Sequence, residues 1–131
     1  MPYFPDRIAE VPGLAGRVET LEEWGARKVH AEVWRRDLAE RPEFVDISEA
    51  TSEQGSLRLA SIGVPRGSRV WLSYADEPKT VLAMDWATFI DHWDDFWYPS
   101  SDDVRVATTD EQGWIVEISH EEELRVIRRP A

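Results

Sequence analysis

The sequence predicts an α+β domain: a mostly antiparallel sheet of about five to seven strands with two helices. Three observations predict it. Apolar residues recur at three- and four-residue steps over 21–40 and again over 86–97. Short alternating or β-branched runs occupy much of the rest, broken by Gly, Pro and Ser. The connections between neighbouring runs are short, and strands joined by tight loops pair antiparallel. With 131 residues, 42% of them hydrophobic, residues 1–131 suffice for a single domain with a core that needs no disulfide or metal.

Residues 1–19 carry Pro2, Pro5, Pro12, Gly13 and Gly16 and read as an irregular lead-in, with a short strand around Arg17 to Glu19. Thr20 and Glu23 have the spacing of a capping box, so the first helix is expected from Leu21 to Glu40, ending before Pro42. Glu23 with Arg27, and Glu32 with Arg36, are favourable i,i+4 pairs. Phe44 to Ile47 and Leu57 to Ile62 are expected as strands, with Thr51 to Gly55 as the turn between them. Arg69 to Tyr74 and Thr80 to Met84 flank Ala-Asp-Glu-Pro-Lys, a hairpin loop in length and composition. Asp85 is a natural N-cap for a second helix, Trp86 to Trp97, ended by Tyr98-Pro99. Val104 with Val106, then Trp114, Val116 and Ile118, mark one face of two further strands, and Leu124 to Ile127 a last one.

Composition removes several functions. There are 26 acidic and 15 basic side chains, for a net charge of −11, so phosphate neutralisation on nucleic acid and binding to anionic membranes are both disfavoured. No cysteine is present, which removes thiol catalysis, zinc–thiolate sites and disulfide frameworks. The N-terminus lacks the basic and apolar regions of a secretory signal, and no apolar run approaches the roughly 18 residues of a membrane span, so the expected compartment is the cytoplasm.

Charge is unevenly placed. Residues 1–84 hold 14 acids and 11 bases, and 124–131 hold three Arg and no acid. Residues 85–123 hold 12 acids and Arg105 as their only Lys or Arg, which is a net charge of −11. Asp91, Asp94 and Asp95 fall in the last turns of the second helix, where the dipole disfavours anions. Asp91 and Asp95 are also like charges at i,i+4, with no Lys or Arg within a turn. Local rules broken without local compensation are often found at functional sites. Aromatics are interleaved with the acids: Trp86, Phe89 and Trp93 share a core-like stripe, whereas Trp97 and Tyr98 at the helix end are candidates for exposure. Acids that steer and aromatics that supply contact area suit a basic protein partner.

An alternative combines His92, Asp95, Asp102, Asp103 and His120 in a metal site, since His92 and Asp95 share a helix face at i,i+3 and oxygen ligands with one imidazole suit Mn, Mg or Zn. His120 beside Glu121 to Glu123 could also act as a general base. No HExxH, GxSxG, P-loop, GxGxxG or EF-hand pattern occurs, and Ser100-Ser101 before Asp102-Asp103 reads as a turn rather than as nucleophiles. No catalytic residue and no cofactor are assigned.

Residues 89–129, FIDHWDDFWYPSSDDVRVATTDEQGWIVEISHEEELRVIRR, resemble the C-terminal part of small acidic bacterial proteins of the polymorphic-toxin immunity type. The N-terminal Leu-Pro and Asn-Gly pattern of the large SUKH-like group is not present. The resemblance implies a non-enzymatic cytoplasmic protein that occludes a cognate toxin, often a basic nuclease. The leading expectation is therefore a protein-binding module of immunity or inhibitor type, with Asp94, Asp95, Trp97, Tyr98, Asp102 and Asp103 at the contact and Glu121 and Glu122 as rim charges. The metal-binding or metal-dependent hydrolytic domain is the first alternative, and a homodimeric structural protein is the second.

Overall fold

The computed structural model describes residues 11–35, 44–97, 102–109 and 114–128. Its elements in chain order are β1 (Glu19–Thr20), α1 (Glu23–Trp34), β2 (Phe44–Asp46), α2 (Ser52–Ala60), β3 (Arg69–Tyr74), β4 (Glu77–Asp85), α3 (Trp86–Phe96), β5 (Val104–Thr108), β6 (Trp114–Ile118) and β7 (Glu123–Arg128), with a short 3-10 turn at Ala15–Arg17. The strands form one seven-stranded sheet, ordered β1-β4-β3-β5-β6-β7-β2. Every pairing in it is antiparallel.

Strand alternation sends side chains to two faces, and each face has its own cover. Val70 and Leu72 of β3, Val104 and Val106 of β5, and Val116 and Ile118 of β6 meet the aromatic stripe of α3 and Leu59 of α2 in the larger core. On the reverse face Val81, Ala107 and Ile115 pack against Ala26, Val29 and Val33 of α1. The described chain is thus a three-layer α+β fold, with α1 on one side of the sheet and α2 with α3 on the other.

The reverse face also carries a polar row. The register places Ser73, Arg105, Glu117 and Arg125 side by side across β3, β5, β6 and β7. Arg105, 5% exposed, donates from Nε to Glu117 Oε2 at 2.8 Å and from Nη1 to the Val33 carbonyl at 2.9 Å. Its guanidinium lies 4.5 Å from the centroid of the Trp34 ring, and Trp34 Nε1 donates to Ser73 Oγ at 3.0 Å. The C-terminal end of α1 is therefore fastened to the sheet through a buried ion pair, an acceptor carbonyl that the helix end leaves open, and a cation–π contact.

Several expectations are corrected. Thr20 forms no capping box, because β1 pairs Thr20 with Leu82 and the Leu21 amide donates to the Val81 carbonyl at 3.0 Å. α1 starts later, with Glu22 at the N-cap and no side-chain cap bond, and its Arg27–Glu23 pair forms at 3.0 Å. The last residues of the expected first helix, 36–40, lie outside the described residues. Residues 52–60, expected as turn and strand, are helix α2, whose capping box joins Thr51 Oγ1 to the Gln54 amide and Gln54 Oε1 to the Thr51 amide. α2 makes three described helices where two were expected, and the shorter β3–β4 connection, Ala75 and Asp76, is the other departure. Asp85 stands at the N-cap of α3, but its carboxylate faces Arg69 at 3.4 Å. The first amides of α3 instead donate to the carbonyls of Ser68 and Arg66.

Candidate functional site

Within the acidic segment Asp85, Asp91, Asp103 and Glu117 are paired through the fold, and Asp95 and Glu123 with near neighbours along the chain. Asp91 sits 3.7 Å from Arg17 and 3.7 Å from Arg66, so the relief that no Lys or Arg within a turn supplies comes from distant segments. Asp95 Oδ2 meets His92 Nδ1 at 3.0 Å, Asp103 Oδ1 meets His120 Nδ1 at 2.9 Å, and Glu117 is tied to Arg105. Glu123 is bridged by Arg125 at 3.0 Å. Asp94, Glu121 and Glu122 have no ion pair among the described residues.

Two expected contact residues are in the core. Trp97 is 4% exposed and donates from Nε1 to the Asp102 carbonyl at 3.1 Å, and Asp102 is likewise 4% exposed. The reason is geometric: the chain leaves α3 in an extended conformation at Trp97, which turns the indole inward to stack on Trp93 at 5.9 Å between centroids. Tyr98, Ser100 and Ser101 lie outside the described residues. His92–Asp95 and Asp103–His120 are two separate pairs, and among the described residues no three His, Cys, Asp or Glu side chains form a metal-holding group. The Asp103 carboxylate accepts from both the amide and the ring of His120 and raises the His120 pKa above its ordinary value.

Two of these carboxylates line a common pocket. α3 departs from helical geometry at His92, with φ −130° and ψ 22°, and the last turn carries Asp94 to its exposed side. The β6–β7 turn places Glu122 at φ 62°, a left-handed conformation unusual for a residue with a side chain. That turn is held to the neighbouring chain by the Ile47 amide, which donates to the Glu122 carbonyl at 2.9 Å. Asp94 and Glu122 line one pocket of about 210 Å³ with Ser48, Ala50, Trp93 and Trp97. Through Ser48 and Ala50 it adjoins a larger recess of about 730 Å³, bordered by Asp46, Glu49, Leu57 and Arg58. Leu57, expected inside a strand, is 65% exposed at this recess.

Sequence reasoning singled out Asp94 and Glu122 but missed Asp46, Ser48, Glu49 and Ala50. These come from the segment around β2, which the sheet order sets beside β7. Comparison with protein-family models, with curated proteins and with solved structures finds no match to this chain. The fold and the recess define an antiparallel α+β protein with an acidic, partly aromatic groove at one end of its sheet, next to the edge strand β2. No described helix is long and apolar enough to cross a membrane.

Proposed function

We propose that this chain is a non-enzymatic protein-binding module, of the immunity or inhibitor type that residues 89–129 resemble, acting in the cytoplasm on a basic partner such as a nuclease toxin. The observation that carries the reading is that Asp94 and Glu122, without an ion pair among the described residues, line one pocket, which adjoins through Ser48 and Ala50 a recess bordered by Asp46 and Glu49. Of the other described acids of the segment, Asp85, Asp91, Asp103 and Glu117 are paired across the fold and Asp95 and Glu123 with near neighbours in sequence, which leaves Asp94, Glu121 and Glu122 for a partner. Uncompensated rim charges of one sign steer a partner of the other sign and set its register. Of the expected contact set, Asp94, Glu121 and Glu122 support this reading, while Trp97 and Asp102 contribute from beneath the surface.

The test is capture of the partner from host lysate at low salt, followed by association kinetics of the isolated pair. Asp94→Lys with Glu122→Lys is expected to slow association about 10-fold or more at low salt, and the difference should shrink at about 0.5 M salt. A captured partner without excess basic charge, or equal on-rates for variant and wild type at low salt, would overturn the reading.

A further inference from the structure

Resting on that reading, we infer that the pocket between the β2–α2 loop, the last turn of α3 and the β6–β7 turn receives one arginine side chain from an extended basic segment of the partner, whose backbone continues along the larger recess. Size is the first argument. About 210 Å³ falls below the ~300 Å³ at which sites for drug-sized ligands begin, and matches a single long side chain better than a cofactor. Chemistry is the second. Two carboxylates, Asp94 and Glu122, come from two different elements and have no ion pair among the described residues. Trp93 and Trp97 line the same pocket, 3% and 4% exposed, and give it an apolar wall against which the aliphatic stem of an arginine packs. A planar fork with five donors can meet both carboxylates and the Ser48 hydroxyl together, which an ammonium point charge does less well.

The continuation of the groove is the third argument. Asp46 and Glu49 face the larger recess with Arg58 as the single Lys or Arg on its border, so the joined groove has an excess of negative charge along its length. Leu57 is exposed there and offers apolar contact to a residue beside the arginine. A metal ion is a poorer occupant, because the described residues provide no third His, Asp, Glu or Cys in a ligating group.

The probe is a blocked tripeptide, acetyl-Ala-Arg-Ala-amide, titrated into the intact 15N-labelled protein and compared with the same peptide carrying citrulline. Saturable binding with a Kd of about 1 mM or tighter is expected, with shifts concentrated at Ser48, Ala50, Asp94, Glu122 and the indole N–H groups of Trp93 and Trp97. Citrulline, or Asp94→Asn with Glu122→Gln, should weaken binding about 10-fold or more. Ala50→Met, which fills the pocket without changing charge, should abolish it, and the spectrum itself reports that each variant is folded. Absence of saturation, shifts spread equally over Glu23, Glu53 and Glu121, or undiminished binding by Ala50→Met would overturn the proposal. Failure of the peptide while Asp94→Lys with Glu122→Lys still slows the captured partner would remove the arginine pocket and leave the binding module standing. The converse would remove the module and leave the pocket.

Discussion

Gly55 offers the sharpest test of how the groove is built. It lies in α2, where intrinsic propensity favours Ala over Gly by ~1 kcal/mol, so sequence alone predicts that Gly55→Ala stabilises. The structure predicts the opposite sign. A Cβ at this position would lie 2.7 Å from Nε1 of Trp93 and closer still to two carbons of its ring. Carbon contacts are comfortable at about 3.5–4.0 Å, so roughly 1 Å or more of relief is needed. The indole cannot supply it cheaply, because Trp93 is 3% exposed, donates to the Ser52 carbonyl at 2.9 Å and stacks on Trp97. Overpacking costs ~1–3 kcal/mol, the strained Trp93 hydrogen bond adds about 1, and the propensity gain returns about 1. The net expectation is a loss of about 1–3 kcal/mol. Gly25→Ala in α1 is the control, since its Cβ would meet only Leu21 Cδ2 at an ordinary 3.8 Å. It should stabilise by about 0.4–1 kcal/mol. Urea unfolding followed by tryptophan fluorescence and by far-UV circular dichroism measures both. A Gly55→Ala protein as stable as wild type, with an unchanged m-value, would refute the close approach of α2 to Trp93.

Other outcomes follow from the same structure. Glu117→Ala leaves the buried Arg105 guanidinium without its carboxylate and should cost about 3–5 kcal/mol, read as a fall in the urea midpoint, whereas Arg105→Met with Glu117→Leu should cost much less. Thr51→Ala removes one half of the α2 capping box and should cost ~1 kcal/mol in the same assay. His120 should titrate above the ordinary 6.5 when its ring protons are followed by NMR, and Asp103→Asn should bring it down. Because its folded pKa is raised, the His120–Asp103 pair stabilises fully below about pH 6.5 and less as pH rises through the folded value. The melting-temperature gap between wild type and Asp103→Asn should accordingly narrow with rising pH.

Elements whose signal is local were legible in the sequence. α3 shows its apolar stripe at three- and four-residue steps, and β5, β6 and β7 alternate between short connections, so both appear where expected. α2 was misread because Gly55, Ser52 and Ser56 weaken its propensity and Leu57 and Leu59 imitate strand alternation. The T-x-x-Q spacing of Thr51 and Gln54 was the available signal, and Gly55, Leu59 and Ile62 have the helical spacing that faces inward. The short strand expected around Arg17 to Glu19 starts two residues later, at Glu19–Thr20, since its bounds are set by pairing with β4 rather than by local pattern. The acidic segment was legible as charge. Its division into paired and unpaired carboxylates was not, because the Arg17 and Arg66 that meet Asp91 lie far from it in sequence.

The irregularity of α3 links this fold to its groove. Sharp departures from helical geometry arise where proline, a π-bulge or an inserted side chain disturbs the i→i−4 ladder. No proline occurs between Trp86 and Phe96, but the Ser56 hydroxyl of α2 donates to the Ile90 carbonyl at 2.7 Å. In a regular helix that carbonyl is the acceptor for the amide of Asp94, and the non-helical residue, His92, lies midway between them. Contact with α2 therefore acts on the turn that ends in Asp94, and the 3.0 Å His92–Asp95 pair closes the other side of the same turn. Gly55 and Ser56 are neighbours in α2: one admits the Trp93 indole, and the other bonds the turn beside it. The like charges that look costly along α3 are thereby separated by structure. Asp91 goes to two arginines and Asp95 to a histidine, and Asp94 is left at the mouth of a pocket with Glu122. A solvated acidic face needs no such sorting, since screening by salt already makes surface repulsion weak.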